Sequence, residues 1–152
     1  MQSFDFQVVI RAPIEKVFSV YTDNDRWQNR NIFGEIRWVQ GEPWTAGSRM
    51  RIEVVRPIRA VVDQVLTQFE SNRRVAYISH VYGITCQTQV SFVPGPAGTA
   101  VNVSMQLVGV LSKALGFAVE PAIEKSTRNF FDELRRVCEA TVGQAAGGSG
   151  KG

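Results

Sequence analysis

Two side chains near the middle of the chain could transfer protons, the carboxylate of Asp63 and the phenol of Tyr77. A carboxylate in an apolar pocket can act as a general acid or base, and a phenol can donate a hydrogen bond to a ligand carbonyl. Asp63 points inward only if the turn at Arg56-Pro57 has two residues, because a one-residue change brings Gln64 inward instead. The sequence therefore offers Asp63 and Tyr77 as candidate catalytic residues, and the register of one strand decides whether Asp63 qualifies.

Other familiar catalytic and metal-binding patterns do not occur in the sequence. His80 is the only histidine, so no cluster of histidines can hold a metal, and strand alternation directs its side chain outward. Cys86 and Cys138 have no CxxC spacing and are expected to be semi-buried reduced thiols, as is usual in a cytoplasmic protein. Because there is no GxSxG, HExxH or glycine-rich dinucleotide loop, we expect neither a cofactor nor a metal.

The composition is that of an ordinary single domain. The chain has 152 residues, a charged share of 20% and a net charge of +3. This charge is too small to indicate a nucleic-acid partner by itself. The N-terminal segment lacks a secretory pattern, and no apolar run approaches the ~18 residues that cross a membrane, so we expect neither export nor membrane insertion.

The candidate residues must be positioned by strands, because seven segments alternate between apolar and polar residues. These segments cover residues 2–11, 34–40, 48–55, 60–69, 74–82, 84–93 and 99–108. Two short helical patterns follow the first strand, as far as Trp27. A long amphipathic helix is predicted from Pro121 to Gly143, since proline suits a first helical turn and glycine a helix end. The chain is therefore divided into one domain, residues 1–142, and a disordered glycine-rich tail, residues 143–152.

This order of elements predicts an α+β fold in which a curved antiparallel sheet surrounds the long helix. Consecutive strands with short turns form an antiparallel meander, and seven of them at ~4.8 Å spacing make a sheet about 30 Å wide. A helix is only about 10–12 Å across with its side chains. The sheet must therefore curl, and the space between sheet and helix becomes a pocket unless large side chains fill it.

Strand alternation and the apolar stripe of the long helix select the residues expected to line this pocket. Hydroxyl groups on the inner face need hydrogen-bond partners, which either a ligand of mixed polarity or the nearby backbone can supply. We assign the orientation of the ligand to the polar groups of Tyr77, Ser79, Thr88 and Thr127. The expected ligand-binding residues are Trp38, Met50, Ile52, Val65, Ser79, Cys86, Thr88, Val90, Val103, Met105, Phe117, Ile123, Thr127 and Phe130.

Four segments carry a resemblance to a known superfamily. They are VVIRAPIEKVFSVYTDNDRW (Val8 to Trp27), WTAGSRMRIEV (Trp44 to Val54), GTAVNVSMQL (Gly98 to Leu107) and IEKSTRNFFDELRRV (Ile123 to Val137). In these segments the chain resembles the START/helix-grip (SRPBCC) superfamily, which includes pollen allergens and the polyketide cyclase/dehydrase and lipid-transport family. The resemblance implies the helix-grip fold and a cavity for hydrophobic ligands such as lipids, sterols or polyketides. It implies no catalytic residue, because some relatives cyclise or dehydrate polyketides and many only bind or carry.

Three functions are compatible with these observations. The first is binding or carriage of a small hydrophobic ligand, of lipid, aromatic or polyketide type. The second is a polyketide cyclase or dehydratase that uses Asp63 or Tyr77 for proton transfer. The third is a protein-interaction module that uses a basic outer face, including Arg49 and Arg51, and has a packed interior. A cavity above ~300 Å³ favours the first two, and a filled interior favours the third.

Overall fold

The computed structural model of the chain describes residues 2–108 and 113–151, with side chains described at residues 3–108 and 119–140. Two short helices follow the first strand, and a long helix follows the last. In chain order the elements are β1 (Gln2–Ile10), α1 (Ile14–Tyr21), α2 (Asn24–Trp27), β2 (Phe33–Gln40), β3 (Arg49–Val54), β4 (Ala60–Glu70), β5 (Arg74–Val81), β6 (Ile84–Gly95), β7 (Gly98–Val108) and α3 (Lys113–Lys151).

The strands form one antiparallel sheet of seven in the order β1-β7-β6-β5-β4-β3-β2. From β2 to β7 each strand pairs with the next one along the chain, and β1 pairs with β7. Alternation of polarity along each strand determines which face is buried. In β6, for example, every second side chain is buried and the residues between are more exposed; the buried ones are Ile84, Cys86, Thr88, Val90 and Phe92. The predicted α+β fold with a seven-stranded antiparallel sheet is confirmed.

The long helix α3 lies against β1 and α1. Its inward stripe contains Phe131, Leu134 and Cys138, none of which is more than 1% exposed. Tyr21 of α1 stacks on Phe131 with ring centroids 6.1 Å apart, and Phe6 of β1 meets the same ring edge-on at 5.8 Å. Aromatic contacts therefore hold the helix between the first strand and the first short helix.

The buried apolar side chains form two separate clusters. The larger cluster joins α1, α2 and the middle of α3 to the sheet, and includes Phe18, Trp27 and Phe131. The smaller cluster lies around the start of β6 and the end of β7, and includes Ile84 and Leu107. Because the core is divided, the interior is not filled continuously between the helix and the sheet.

Gly98 allows the turn between β6 and β7 to pass close to the end of β1. Its φ is +132°, and a Cβ atom there would lie 2.2 Å from the carbonyl oxygen of Ile10. Residues with side chains rarely adopt such a φ, and no side chain fits against this backbone. The neighbouring Thr99 hydroxyl donates to the carbonyl oxygen of Ala12 at 2.8 Å, so this corner connects β7 to the segment that leads into α1.

The bounds of the long helix differ from the prediction. α3 begins before Pro121 and continues beyond Gly143. Pro121 lies inside α3, where it removes one backbone hydrogen bond without ending the helix. After Gly143 the chain has Ala145 and Ala146, which favour helix, but also Gly147, Gly148 and Gly150, which disfavour it, so local propensity does not explain why α3 continues. The division into a domain and a tail at residue 143 stays a prediction, since side chains from residue 141 onward lie outside the described residues.

Candidate functional site

A cavity of about 180 Å³ lies between α3, the corner formed by α1 and α2, and the inner face of β2 to β7. Side chains from both core clusters border it, for example Trp27 and Met50 from the larger and Val81 and Met105 from the smaller. The cavity is smaller than the ~300 Å³ at which drug-sized pockets begin. Part of the hollow is filled by rings, because Phe130 packs on Trp27 and on Phe131 with centroids 4.9 Å apart in each case.

The lining carries no charge among the described residues. No Asp, Glu, Lys, Arg or His side chain borders the cavity. Most of the wall is aliphatic or aromatic, with Ile52 and Val62 on the sheet and Val119 and Ile123 on α3. Placing an unpaired ion in such surroundings costs several kcal/mol. The cavity therefore suits a neutral ligand with mainly apolar surface.

A few uncharged polar side chains interrupt the apolar wall. Gln64 and Ser79 are opposite each other on β4 and β5, and the Ser79 hydroxyl donates to Oε1 of Gln64 at 3.5 Å. Asn24 of α2 also borders the cavity, and its amide nitrogen contacts the sulfur of Met50 at 3.4 Å. These groups could hold a polar atom of a ligand without adding charge.

Two tyrosines interact at the same side of the cavity. Tyr21 comes from α1 and Tyr77 from β5, and both border the cavity. Burial raises the pKa of Tyr77 to about 12, an effect partly offset by the neighbouring hydroxyl of Tyr21. Burial raises the pKa of Tyr21 well above its usual value too, and the hydroxyl of Tyr77 adds to the shift. Both phenols are therefore neutral hydrogen-bonding groups near pH 7.

Cys86 is the only thiol that borders the cavity among the described residues. Burial raises the pKa of its thiol to about 12, and the carboxylate of Glu120 contributes in the same direction. A nucleophilic cysteine needs a lowered pKa, because the thiolate is the reactive form. Cys86 is therefore part of the apolar wall rather than a nucleophile.

One end of the cavity reaches the protein surface. Ile58, in the loop between β3 and β4, and Tyr82, after β5, border the cavity and are 41% and 43% exposed. The hydroxyl of Tyr82 donates to the backbone carbonyl of Arg59. The hydroxyl of Ser126 donates to the carbonyl oxygen of Arg56 at 3.4 Å, which connects the same loop to α3. A small molecule could enter at this end without rearrangement of the sheet.

The structure places two of the predicted site residues on the outer face of the sheet. Asp63 pairs across the strands with Arg51 at 3.8 Å, and Val65 is paired with Arg49 on the same face. The cause is the length of the connection, since Val54 pairs directly with Ala60 and leaves five residues, 55–59, between the strands. This odd number turns Gln64 inward, so Asp63 and Val65 are removed from the candidate site.

The other predicted residues fall into three groups. Nine of them border the cavity: Met50, Ile52, Tyr77, Ser79, Cys86, Met105, Ile123, Thr127 and Phe130. Four belong to the core or its edge without bordering the cavity: Trp38, Thr88, Val90 and Val103. The side chain of Phe117 lies outside the described residues. Although Thr127 borders the cavity, its hydroxyl donates to the carbonyl oxygen of Ile123 at 2.8 Å, within its own helix.

Four aromatic or polar residues from the first helices and the loop after β2 border the cavity without being among the predicted ligand-binding residues: Tyr21, Asn24, Trp27 and Trp44. Helical spacing places Tyr21 on the inward face of α1, and this signal could have identified it. A tryptophan can stack on a ligand, but the sequence favours helix-to-sheet packing for Trp27 and does not place Trp44. Nothing in the local pattern indicates Asn24, because its position depends on how α2 folds back over the sheet.

Two negative findings apply to the part of the chain that the structure describes. No group of three His, Cys, Asp or Glu side chains comes together as a metal site would require. None of the helices is long and apolar enough to cross a membrane.

Comparison with known proteins gives one family and a set of related structures. The profile of a family described as "Polyketide cyclase / dehydrase and lipid transport" matches residues 1–139. No curated protein matches the chain.

Three of the similar solved structures come from bacteria. The Zhui aromatase/cyclase from a Streptomyces species has a TM-score of 0.77 at 12% identity, over 93% of this chain and 95% of that one. A START superfamily protein from Mycobacterium smegmatis has a TM-score of 0.72 at 15% identity, over 91% and 98%. An uncharacterized protein from Rhizobium leguminosarum has a TM-score of 0.75 at 19% identity, over 91% and 95%. At these identities the matches establish the fold alone.

Proposed function

The chain belongs to the polyketide cyclase/dehydrase and lipid transport family, and we propose that it binds or carries one small, neutral, hydrophobic molecule in its internal cavity. The observation that supports this function is the uncharged and mainly apolar wall of the 180 Å³ cavity. Transfer of apolar surface from water into such a site is favourable by about 25 cal/mol per Å². Retention of the ligand would therefore come from burial rather than from ion pairing.

The size of the cavity sets an upper limit for the ligand. An apolar cavity of about 150 Å³ in another protein binds benzene, and this cavity is about 180 Å³. A compound with one or two rings is therefore the expected size. A long-chain lipid or a polyketide with several rings would require the aromatic side chains around Phe130 to move.

Carriage is favoured over the cyclase or dehydratase alternative by the groups at the cavity. Proton transfer near neutral pH is most efficient when the pKa of the catalytic group is near the working pH. The cavity has no carboxylate or imidazole among its described lining residues, and the pKa of Tyr77 is about 12. The cavity is below the ~300 Å³ criterion, but its volume of about 180 Å³ is still more than the filled interior of the third alternative, an interaction module, would leave.

Calorimetric titration with tetralin, an apolar two-ring compound, tests the proposal. Val62 borders the cavity, and its neighbour Val61 is 54% exposed on the other face of β4. We expect tetralin to bind the unmodified protein and to bind Val62→Phe at least about tenfold more weakly, which is about 1.4 kcal/mol. Val61→Phe is the matched control and should bind as the unmodified protein does. Undetectable binding to the unmodified protein, or equal binding to Val62→Phe, would refute the proposal.

A further inference from the structure

Four uncharged polar side chains meet on the inner face of the three central strands, and we call them the polar floor: Gln64, Tyr77, Ser79 and Thr88. Gln64 pairs with Ser79 across β4 and β5, and Tyr77 pairs with Thr88 across β5 and β6. Directly opposed residues have Cβ atoms about 4.5–5.5 Å apart, and the next inward residue along a strand is about 6.6 Å away. The four polar groups therefore form one compact patch in the middle of an otherwise apolar surface.

The polar floor has more hydrogen-bonding capacity than its members use. Gln64 is 8% exposed, and its one hydrogen bond among the described residues is the 3.5 Å contact from the Ser79 hydroxyl. One end of the amide stays free whichever way it is turned, because an amide has both donors and acceptor sites. Thr88 is 2% exposed and does not border the cavity; its Oγ1 interacts with the hydroxyl of Tyr77 and has no other partner among the described residues. Buried polar groups are normally satisfied by protein, water or ligand.

We propose that the polar floor binds the single carbonyl or hydroxyl group of a neutral ligand that otherwise consists of one or two apolar rings. This inference rests on the proposed function, because it assumes that the cavity accepts an apolar molecule. Gln64 is the central residue, since it borders the cavity and is more than nine-tenths buried with a free amide group. Tyr77 and Ser79 border the cavity beside it and supply further hydroxyl groups.

A charged polar group does not fit the polar floor. No Lys, Arg or His side chain borders the cavity among the described residues, so a ligand carboxylate would be buried without a counter-ion. A phenol is protonated at neutral pH even at its ordinary pKa of about 10, and burial raises the pKa of both Tyr21 and Tyr77 further, so they offer donors without charge. An ammonium group would likewise find no carboxylate partner in the wall. The recognised class is therefore an aryl or cycloalkyl ketone, aldehyde or alcohol of about two rings.

Paired titrations with 1-tetralone and tetralin test this inference, because the two compounds differ in one carbonyl group. We expect the unmodified protein to bind 1-tetralone about tenfold more tightly than tetralin, the gain that one neutral buried hydrogen bond gives. Gln64→Met keeps the length of the side chain and removes its polar atoms, so it should abolish the preference and leave the affinity for tetralin unchanged. Gln87→Met is the matched control on the exposed face of β6, and it should keep the preference.

The outcomes separate this inference from the proposed function. If tetralin binds and 1-tetralone binds no better, or if Gln64→Met keeps the preference, the polar floor has no role in recognition while the cavity proposal stands. If neither compound binds, both proposals fail. A third compound, a carboxylate with the same two rings as 1-tetralone, should bind more weakly than 1-tetralone. If it bound equally well or more tightly, the assignment to neutral ligands would be contradicted. Should Gln64→Met unfold in a thermal melt, Ser79→Ala replaces it, with an expected severalfold loss for 1-tetralone only.

Discussion

Burial at the inner face changes the ionisation of two thiols, and this has a measurable consequence for stability. The pKa of Cys86 is raised from 9.0 to about 12 and that of Cys138 from 9.0 to about 11, in both cases chiefly by burial. A group with a raised pKa in the folded state keeps its proton while the unfolded chain loses it. The stability it contributes is therefore complete below pH 9 and is lost as the pH rises through the folded-state pKa.

We predict from this linkage that the free energy of unfolding falls steeply above pH 9. Between pH 9 and 11 the Cys86 thiol alone should account for a loss of about 2–3 kcal/mol, since one pKa unit corresponds to 1.36 kcal/mol. Urea unfolding at pH 7, 9 and 11 measures the effect. Cys86→Ala should reduce the loss more than Cys138→Ala does, because its folded pKa is higher. If the free energy of unfolding fell equally with pH in the unmodified protein and in both variants, the assignment of these pKa shifts to burial would be contradicted.

For single residues, strand alternation predicts some positions of the site and leaves others undecided. Alternation identified Met50, Ile52 and Ser79 as cavity residues, because their strands keep one parity along their length. It could not decide between Asp63 and Gln64, since the choice depends on a turn whose length is set by packing. The five-residue connection between β3 and β4 decides in favour of Gln64.

Among the elements, the corner between β6, β7 and β1 depends on one residue. A Cβ atom at Gly98 would meet the Ile10 carbonyl oxygen at 2.2 Å and the backbone of Arg11 and Ala12 at 2.9 Å. We predict that Gly98→Ala lowers the free energy of unfolding by about 1–3 kcal/mol or more, because both the φ and the backbone contacts are unfavourable. Urea unfolding monitored by tryptophan fluorescence measures the change.

Gly95 provides the matched control for this prediction. It pairs with Gly98 in the same hairpin, and a Cβ atom there would meet nothing within 4 Å. Gly95→Ala should therefore change the free energy of unfolding by no more than about 0.5 kcal/mol. If both variants lost the same amount, the general flexibility of the turn would explain the result, and the close approach to β1 would not.

The elements themselves were predictable to different degrees. The seven strands were predicted to within a few residues, because a half-buried strand has a period of two that no other element shares. The bounds predicted for the long helix differ from those of α3, since Pro121 and Gly143 are usual boundary signals and both lie inside α3. Tertiary contacts supply most of the stability of a helix in a protein, and such contacts, of which Phe131 and Leu134 are examples in α3, override weak local signals.

For the molecule as a whole, the ring cluster that holds α3 also limits the cavity. Phe130 contacts Tyr21, Trp27, Phe33 and Phe131 with ring centroids 4.9–5.9 Å apart. It also borders the cavity, whereas Phe6, which packs on the far side of Phe131, does not. The width of the sheet predicts a hollow between sheet and helix. The free volume of that hollow depends on how many aromatic rings enter it. That number follows from three-dimensional packing and could not be obtained from strand patterns.

Because Phe130 both stabilises the fold and limits the cavity, its removal should lower the free energy of unfolding and increase the size of ligand that the cavity admits. Phe130→Ala should cost about 2–3 kcal/mol of unfolding free energy, less than a fully buried phenylalanine would, and should enlarge the cavity enough to admit the three-ring probe 1-aminoanthracene. Phe6→Ala should lose stability to a similar degree, through its contacts with Phe131 and Arg128, without admitting the probe. Probe fluorescence and urea unfolding measure the two quantities on the same samples. Binding of the probe to both variants would mean that loosening alone opens the interior, and binding to neither would mean that Phe130 does not limit the cavity.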